Sequence, residues 1–302
     1  GKCVKTLYED ESSGFPQSWE LPTLELMQDL IIEANQEDIP VIIHAPSFDG
    51  QQFAVESGVD IIAHAMWNWY DDPENFLDSA FTKKHENLLL EIAKKDIGYQ
   101  PTFRAIYGEI DLFDNQFLNN PKLENIYPPS YLSWLRTDVK YFGKQRILRR
   151  AKIVKVINPK LYDIISSKFT NDEEIFRGIQ EVLKGRMGKV IKILAKNNAN
   201  LLFGTDNGAM NMSTHPPGYN GFLEMQHWLE AGVSLEKIFL AATYNNAKAF
   251  QIDNLYGTIA KENTANLLIL DKNPLLDISA YDEINTVIIH GKDYVREVFS
   301  AN

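Results

Sequence analysis

Three short apolar runs in this chain each end in a residue that can bind a metal ion. Residues 41–43 lead to His44, residues 59–63 lead to His64, and residues 201–203 lead through Gly-Thr to Asp206. Short apolar runs rich in β-branched side chains predict buried strands of a parallel sheet. The carboxyl ends of such strands share one edge, where α/β barrels keep their chemistry. Alone, each residue is also typical of a structural histidine or an ordinary turn, but the recurrence favours a metal site, since zinc prefers imidazole and carboxylate ligands.

The composition limits the classes of protein that fit. The chain has 302 residues, of which 44% are hydrophobic and 24% charged, as expected for a soluble globular protein with a sizeable core. Its net charge of −11 argues against nucleic acid as a partner. A single cysteine, Cys3, excludes an intrachain disulfide. The sequence has no apolar run long enough to span a membrane and no signal peptide, so the cytoplasm is the default location. Export stays open, because the first residues already resemble the middle of a domain.

The first third of the chain alternates between predicted strands and helices. Strands are expected at 2–8, 40–44, 59–64 and 97–103, and helices at 24–38, 51–57 and 88–95. His44 and His64 are separated by one compact crossover, which predicts neighbouring parallel strands. Lys5 lies on the first of these strands, and Arg104, directly after the fourth, is a candidate substrate-binding residue.

After the fourth strand, the predicted secondary structure of the chain changes twice. Residues 105–198 contain no good strand and predict a helical insertion over one face of the sheet, which would act as a lid if it is functional. A further strand is expected at 200–205, followed by helices over 222–231 and from Ser234 towards Phe250. Short strands at 257–259, 265–270 and 286–292, separated by turns, then predict a small β module.

An aromatic segment follows His64. Met66, Trp67, Trp69 and Tyr70 occur within a few residues of one another. Two interpretations stay open: the rings pin a loop to the rim of the sheet, or Trp67 forms part of the wall of a substrate pocket.

The carboxyl-terminal sequence resembles that of a known family. The segments that carry the resemblance are Ala241-Ala242-Thr243-Tyr244-Asn245-Asn246-Ala247, Gly257-Thr258-Ile259, Ala265-Asn266-Leu267-Leu268-Ile269-Leu270, Asn273-Pro274 and His290-Gly291-Lys292. With these segments as its most distinctive part, the chain outside the insertion resembles the carboxyl-terminal two-thirds of an amidohydrolase-superfamily enzyme of the imidazolonepropionase-like or prolidase-like kind, with Asn266 where aspartate is usual. The resemblance implies a partial TIM-type (β/α) barrel over residues 1–250, with about five of the eight strands and the insertion at 105–198. Residues 251–302 would be the carboxyl-terminal part of a composite β-sandwich.

The same resemblance implies a site and a reaction. One or two divalent metal ions, zinc above all, would be held by His44, His64 and Asp206, with Asp206 also accepting the proton of the attacking water. Lys5 stands where many members carry a carboxylated lysine that bridges two metals; the alternative is an ordinary exposed lysine at the end of a strand. His215 is either a loop histidine that contacts substrate or a solvent-facing turn residue. The implied reaction is hydrolysis of a C–N bond in a small amide, cyclic amide or dipeptide by a metal-activated water.

One local difference from the family reduces the range of substrates that the resemblance implies. Many prolidase-like members have Ala-Tyr after the first of the two strand-end histidines, whereas this chain has Ala45-Pro46. This difference argues against a dipeptide and favours a C–N bond other than an ordinary peptide bond.

The chain also departs from the family at its start. Members open with a His-x-His pair on the first barrel strand, and this sequence contains no such pair. We expect the missing strands on a separate chain or fragment, or lost by truncation, because the remaining motifs are intact; neighbouring copies that complete each other in a homo-oligomer are a third explanation. A different class also stays open, namely a non-catalytic remnant or binding protein with too few ligands for tight metal binding.

Overall fold

The architecture is α/β, with one parallel and one antiparallel sheet. A computed structural model describes residues 2–10, 20–69, 82–157, 159–207 and 214–301. Four parallel strands, β1 (Val4–Leu7), β2 (Val41–His44), β3 (Ile61–Ala63) and β4 (Gly98–Gln100), form a sheet in the order β1-β2-β3-β4. All four carboxyl ends therefore lie along one edge, as the alternation of strands and helices predicts.

The connections between these strands are helices, and local capping signals set where they begin. These helices are α1 (Leu24–Gln36), α2 (Phe48–Ser57) and α3 (Lys83–Lys94). Helix α2 begins three residues earlier than expected because the Ser47 hydroxyl accepts a hydrogen bond from Gly50 N at 3.0 Å. The side chains of Val41, Ile43 and Ile62 are fully buried against the helices, so burial of apolar surface holds this layer together.

Two expected strands are shorter than the sequence indicates. The strand expected at 97–103 ends at Gln100, and Phe103 already belongs to a helix. The strand expected at 200–205 is reduced to one parallel bridge between Tyr99 and Leu201. The bridge is made by Tyr99 N to Asn200 O and Leu202 N to Tyr99 O, and the ladder stops there because the next rung needs an N–H from residue 101, which is a proline. The described sheet therefore has four strands and one bridge, and it does not close into a barrel.

The long segment between β4 and the bridge contains helices joined by short turns, and no strand among the described residues. It contains α4 (Phe103–Tyr107), a 3₁₀ turn at Gly108–Phe113, α5 (Asn115–Leu118), α6 (Lys122–Ile126), α7 (Pro129–Trp134), a π segment at Leu135–Val139, α8 (Lys140–Ile157), α9 (Pro159–Ser166) and α10 (Asp172–Lys196). Its middle part has an apolar cluster of its own, which includes Leu123 and Leu135. The end of α10 instead packs Val190 and Leu194 into the core of the parallel sheet. The division of the chain at residues 105–198 stays a prediction.

The last third contains helices and then the antiparallel sheet. The helices are α11 (Tyr219–Glu230), α12 (Leu235–Leu240), a π segment (Ala241–Asn245) and α13 (Asn246–Ala249), and the strands are β5 (Leu267–Leu270), β6 (Ile284–Ile289) and β7 (Lys292–Val295). Short 3₁₀ turns lie at Ile278–Tyr281 and Arg296–Phe299.

The expected strand at 257–259 is wrong. Asn263 Nδ2 donates to both the carbonyl and the hydroxyl of Thr258, which forms a local turn, and Ile259 is exposed. No helix among the described residues combines the length and apolar character that a bilayer crossing requires.

Candidate functional site

The parallel sheet brings the two strand-end histidines into contact. His44 closes β2, and its backbone pairs with Ala63, the residue before His64. The two imidazole rings meet edge to face, with their centroids 4.6 Å apart. His64 is only 5% exposed and has a left-handed backbone with φ of 80°. The sequence-based expectation that these two side chains lie together agrees with this geometry.

Hydrogen bonds hold one nitrogen of each ring. His64 Nδ1 lies 2.6 Å from Thr102 Oγ1, and His44 Nε2 lies 2.5 Å from Glu9 Oε2. The nitrogens outside these bonds are Nε2 of His64 and Nδ1 of His44. Sequence analysis did not identify Glu9 or Thr102 as functional residues. For Glu9 a signal existed, because it directly follows the strand predicted at 2–8, and the carboxyl ends of parallel strands share one edge of the sheet.

Electrostatics favour a neutral ring at His64. Burial lowers the pKa of His64 well below its ordinary value, and the neighbouring His44 and Lys5 lower it further. A neutral imidazole can offer a lone pair to a metal, whereas a protonated ring cannot. The buried position of His64 therefore suits a ligand as well as a structural residue.

Lys5 and Asp206 interact electrostatically at the same edge of the sheet. Lys5 lies on β1, the outermost strand of the described sheet, and is exposed. The surrounding protein nevertheless desolvates its amine, which lowers the pKa of Lys5. The negative charge of Asp206 opposes that decrease. Asp206 is itself exposed and has a left-handed backbone with φ of 51°.

The donor set fits a divalent metal in its chemistry, but it is incomplete. Two imidazoles stand in contact, at least one of them held neutral, with a carboxylate on the same edge. Within the described ranges, no three His, Cys, Asp or Glu side chains are grouped closely enough to hold an ion. His44 and His64 are therefore a candidate half-site, and among the described residues no Asp, Glu or Cys completes a group of three with them.

Trp67 lies beside this pair. Its ring centroid is 5.6 Å from that of His64, and its carbonyl accepts a hydrogen bond from Arg186 Nη1 at 3.1 Å. Met66 and Trp69 are buried in the core, whereas Tyr70 lies outside the described residues. The segment is thus pinned by its rings, and Trp67 is also close enough to His64 to form part of a pocket wall.

Arg104 and His215 lie together in a buried polar cluster. Arg104 is 2% exposed, and its guanidinium donates to Asn220 Oδ1, Asp111 Oδ2 and Thr214 O at 2.7–2.9 Å. These bonds hold Arg104 inside the protein, and its contact with substrate stays a prediction.

His215 is 4% exposed, so the alternative of a solvent-facing turn residue is wrong. Burial and the nearby Arg104 charge lower the pKa of His215 to about 3. Within the described part of the chain, neither of its ring nitrogens has a hydrogen-bond partner. The ring packs against Gly108, where a Cβ atom would lie 2.2 Å from Nε2. The substrate contact predicted for His215 also stays a prediction.

Sequence comparison identifies one family. A sequence model of the amidohydrolase family matches residues 144–293, from within α8 to within β7. This stretch includes Asp206 and His215 but neither His44 nor His64. Comparison with curated proteins gives no match.

Structural comparison extends the likeness over almost the whole chain. A Xaa-Pro dipeptidase with methionine bound in its active site is 18% identical, with a TM-score of 0.57 over 97% of this chain and 54% of that one. A prolidase in complex with N-methylphosphonate-L-proline is 17% identical, with a TM-score of 0.52 over 93% and 51%. Ochratoxinase of A. niger is 16% identical, with a TM-score of 0.57 over 97% and 51%. The chain thus shares their fold and spans about half their length.

Proposed function

The chain belongs to the amidohydrolase superfamily, and from this premise we propose that it supplies part of a metal-dependent hydrolase that cleaves a C–N bond in a small amide or cyclic amide. The observation that carries the proposal is the contact between His44 and His64 at the carboxyl edge of the parallel sheet, with ring centroids 4.6 Å apart. That edge is where open and closed α/β sheets bind their ligands.

The proposed enzyme would have a larger parallel sheet than the four strands that the structure describes. The four parallel strands and the Tyr99–Leu201 bridge would be part of a (β/α) barrel, and β5–β7 part of a composite sandwich. The similar structures are nearly twice as long as this chain, which leaves room for the other strands. We propose that the insertion at 105–198 acts as a lid over the site at the carboxyl edge of the sheet.

Four side chains would hold the metal. His44 and His64 would donate ring nitrogens, and Asp206 would add a carboxylate oxygen. Lys5 would join them as a carbamate, since an ammonium group cannot bind a cation. The lowered pKa of Lys5 supports this role, because the neutral amine is the form that reacts with carbon dioxide. Zinc suits this mixture of nitrogen and oxygen donors.

The proposed chemistry divides between the ion and the protein. When bound, a divalent ion lowers the pKa of water to about 7 and polarises the scissile carbonyl. Asp206 would accept the proton of the attacking water and deliver it to the leaving nitrogen. Trp67 would form an apolar wall beside His64, and His215, from the segment after Asp206, and Arg104, from α4, would orient the substrate. The substitution of Ala45-Pro46 for Ala-Tyr supports an amide other than a dipeptide.

A non-catalytic remnant or binding protein is the second candidate. The observation that favours it is the incomplete cluster, since no three His, Cys, Asp or Glu side chains in the described ranges are grouped to hold an ion. A fold that has lost its metal would keep the sheet and the tail but no longer activate water.

Metal analysis and one substitution test the proposal. We expect about one or two zinc ions per chain after growth with added zinc. Asp206→Asn should lower kcat for amide hydrolysis by about 10²–10⁴-fold while the circular dichroism spectrum is retained. The matched control is Asp253→Asn, a change at an exposed aspartate just beyond α13, which should leave kcat unchanged. Absence of bound metal, or unchanged turnover in Asp206→Asn, would contradict the proposed function.

A further inference from the structure

The hydrogen-bond ladder between β2 and β3 ends just before His64. Its last rung is the bond from Ala45 N to Ala63 O at 3.0 Å. The next rung would join Ala65 N to Ala45 O, but Ala65 N donates to Pro101 O at 2.8 Å instead. His64 lies in this gap and has a left-handed backbone, with φ of 80°. Ala45 is fully buried, so its carbonyl needs a donor from outside the ladder.

Gln51 supplies that donor, and it does the same for His64. This side chain lies in the first turn of α2 and is fully buried. Its Nε2 donates to Ala45 O and to His64 O, both at 3.1 Å. Both acceptors are carbonyls, which cannot donate, so the orientation of the amide and the direction of both bonds are fixed. One side chain thus joins the residue directly after His44 to His64 itself.

Tyr99 extends this network to the residue before Trp67. Its hydroxyl is fully buried and accepts a hydrogen bond from Met66 N at 3.0 Å. The same hydroxyl oxygen lies 2.9 Å from Gln51 Nε2 and 3.2 Å from Gln51 Oε1. Because the two carbonyls take the Nε2 protons, the hydroxyl proton goes to Oε1. The backbone from His64 to Met66 is therefore held at both ends by one buried network.

The contact between the two rings depends on this backbone. The ladder fixes His44 opposite Ala63, but His64 follows the last rung. A rotation of the peptide plane after His64 would shift its ring relative to that of His44, and the centroid distance of 4.6 Å would change. Gln51 opposes this rotation, because it binds the His64 carbonyl.

We propose that Gln51 is a positioning residue that holds the rings of His44 and His64 in contact, as a pair of ligands to one ion requires, and that Tyr99 fixes the Gln51 amide. The inference rests on the proposed function for the identity of the ion. The ring contact itself can be measured without metal.

The test measures this contact by NMR in metal-free protein. In perdeuterated protein whose histidines alone carry ring protons, wild type should show a nuclear Overhauser cross-peak between the rings of His44 and His64. Gln51→Met removes both donors with little change in shape, and Tyr99→Phe removes the hydroxyl that binds the amide. Gln51→Met should abolish the cross-peak, and Tyr99→Phe should weaken it.

Two substitutions serve as controls. Gln52→Met makes the same chemical change at the next residue of α2, which is exposed and donates to Glu56 Oε1 at 2.8 Å. Ile191→Val shortens a buried side chain on α10 and lowers stability without touching the network. Both should keep the wild-type cross-peak. Its loss in Ile191→Val would show that the cross-peak follows general stability, and would contradict the positioning role.

Zinc affinity in the same variants separates the two proposals. Gln51→Met should raise the Kd for Zn²⁺ by about 10–100-fold, as is typical when a group that orients a metal ligand is lost. Gln52→Met and Ile191→Val should leave it unchanged. A cross-peak lost in Gln51→Met, in a protein that never binds zinc, would support the positioning role and contradict the metal site. A cross-peak retained in Gln51→Met, or at full strength in Tyr99→Phe if Gln51→Met does not fold, would overturn the positioning role.

Discussion

Glu224 makes the stability of the protein depend on pH. Complete burial raises the pKa of this carboxyl from 4.5 to about 7, although hydrogen bonds from Arg104 N, Phe103 N and Trp228 Nε1 oppose the rise. Between pH 4.5 and about pH 7, Glu224 is protonated in the native state but ionised in the unfolded state. The free energy of unfolding therefore decreases as the pH rises through this window. At about 1.4 kcal/mol per pKa unit, the whole decrease is about 3 kcal/mol.

Glu224→Gln isolates this contribution, because the amide does not titrate. Urea unfolding of both proteins, followed by tryptophan fluorescence at about pH 5 and about pH 8.5, gives the difference in unfolding free energy at each pH. We expect wild type to lose about 3 kcal/mol relative to Glu224→Gln between the two. Groups shared by both proteins, such as the buried His215, cancel from the difference. A difference that changes by less than about 1 kcal/mol would refute the reasoning.

Two further predictions concern stability. Gly108→Ala would place a Cβ atom 2.2 Å from His215 Nε2, and we expect this overpacking to cost about 1–3 kcal/mol in urea unfolding. Gly185→Ala, at a helical glycine with no atom within 4 Å of the new Cβ, should instead stabilise by about 0.5–1 kcal/mol; equal effects of the two substitutions would contradict the steric argument. Ser234→Ala removes the hydroxyl that accepts from Lys237 N at 3.3 Å and should lower the thermal midpoint by an amount equivalent to about 1 kcal/mol. Ser234→Asp should restore it, and a midpoint unaffected by alanine would exclude the cap.

The strand-end histidines could be predicted from sequence because the pattern that identifies a buried strand also fixes where it ends. The runs before His44 and His64 are apolar and β-branched, and both form central strands of the sheet. The run before Asp206 has a similar composition but forms only one bridge, because Pro101, directly after β4, has no N–H for the carbonyl of Leu202. The composition of a run does not show where the strand beside it stops donating hydrogen bonds.

The polar contacts of the turn after β4 could not be predicted in the same way. Glu224 lies 121 residues from the Phe103 amide that it binds, and it occurs on an ordinary amphipathic helix. Thr102 follows a proline at the end of a strand, which indicates a turn but not a left-handed one. Such contacts depend on how helices and strands that are distant in sequence pack together, and a local sequence pattern does not indicate that packing.

The most direct test of the proposed site is anomalous diffraction at the zinc edge from crystals of the full protein grown with Zn²⁺. The account predicts a peak about 2.0–2.1 Å from a ring nitrogen of both His44 and His64, the usual Zn–N distance. Oxygen density from Asp206, and extra atoms on Lys5, should lie within reach of the same peak. Zinc bound elsewhere, or no peak while the two rings keep their contact, would contradict the assignment of this edge of the sheet as a metal centre.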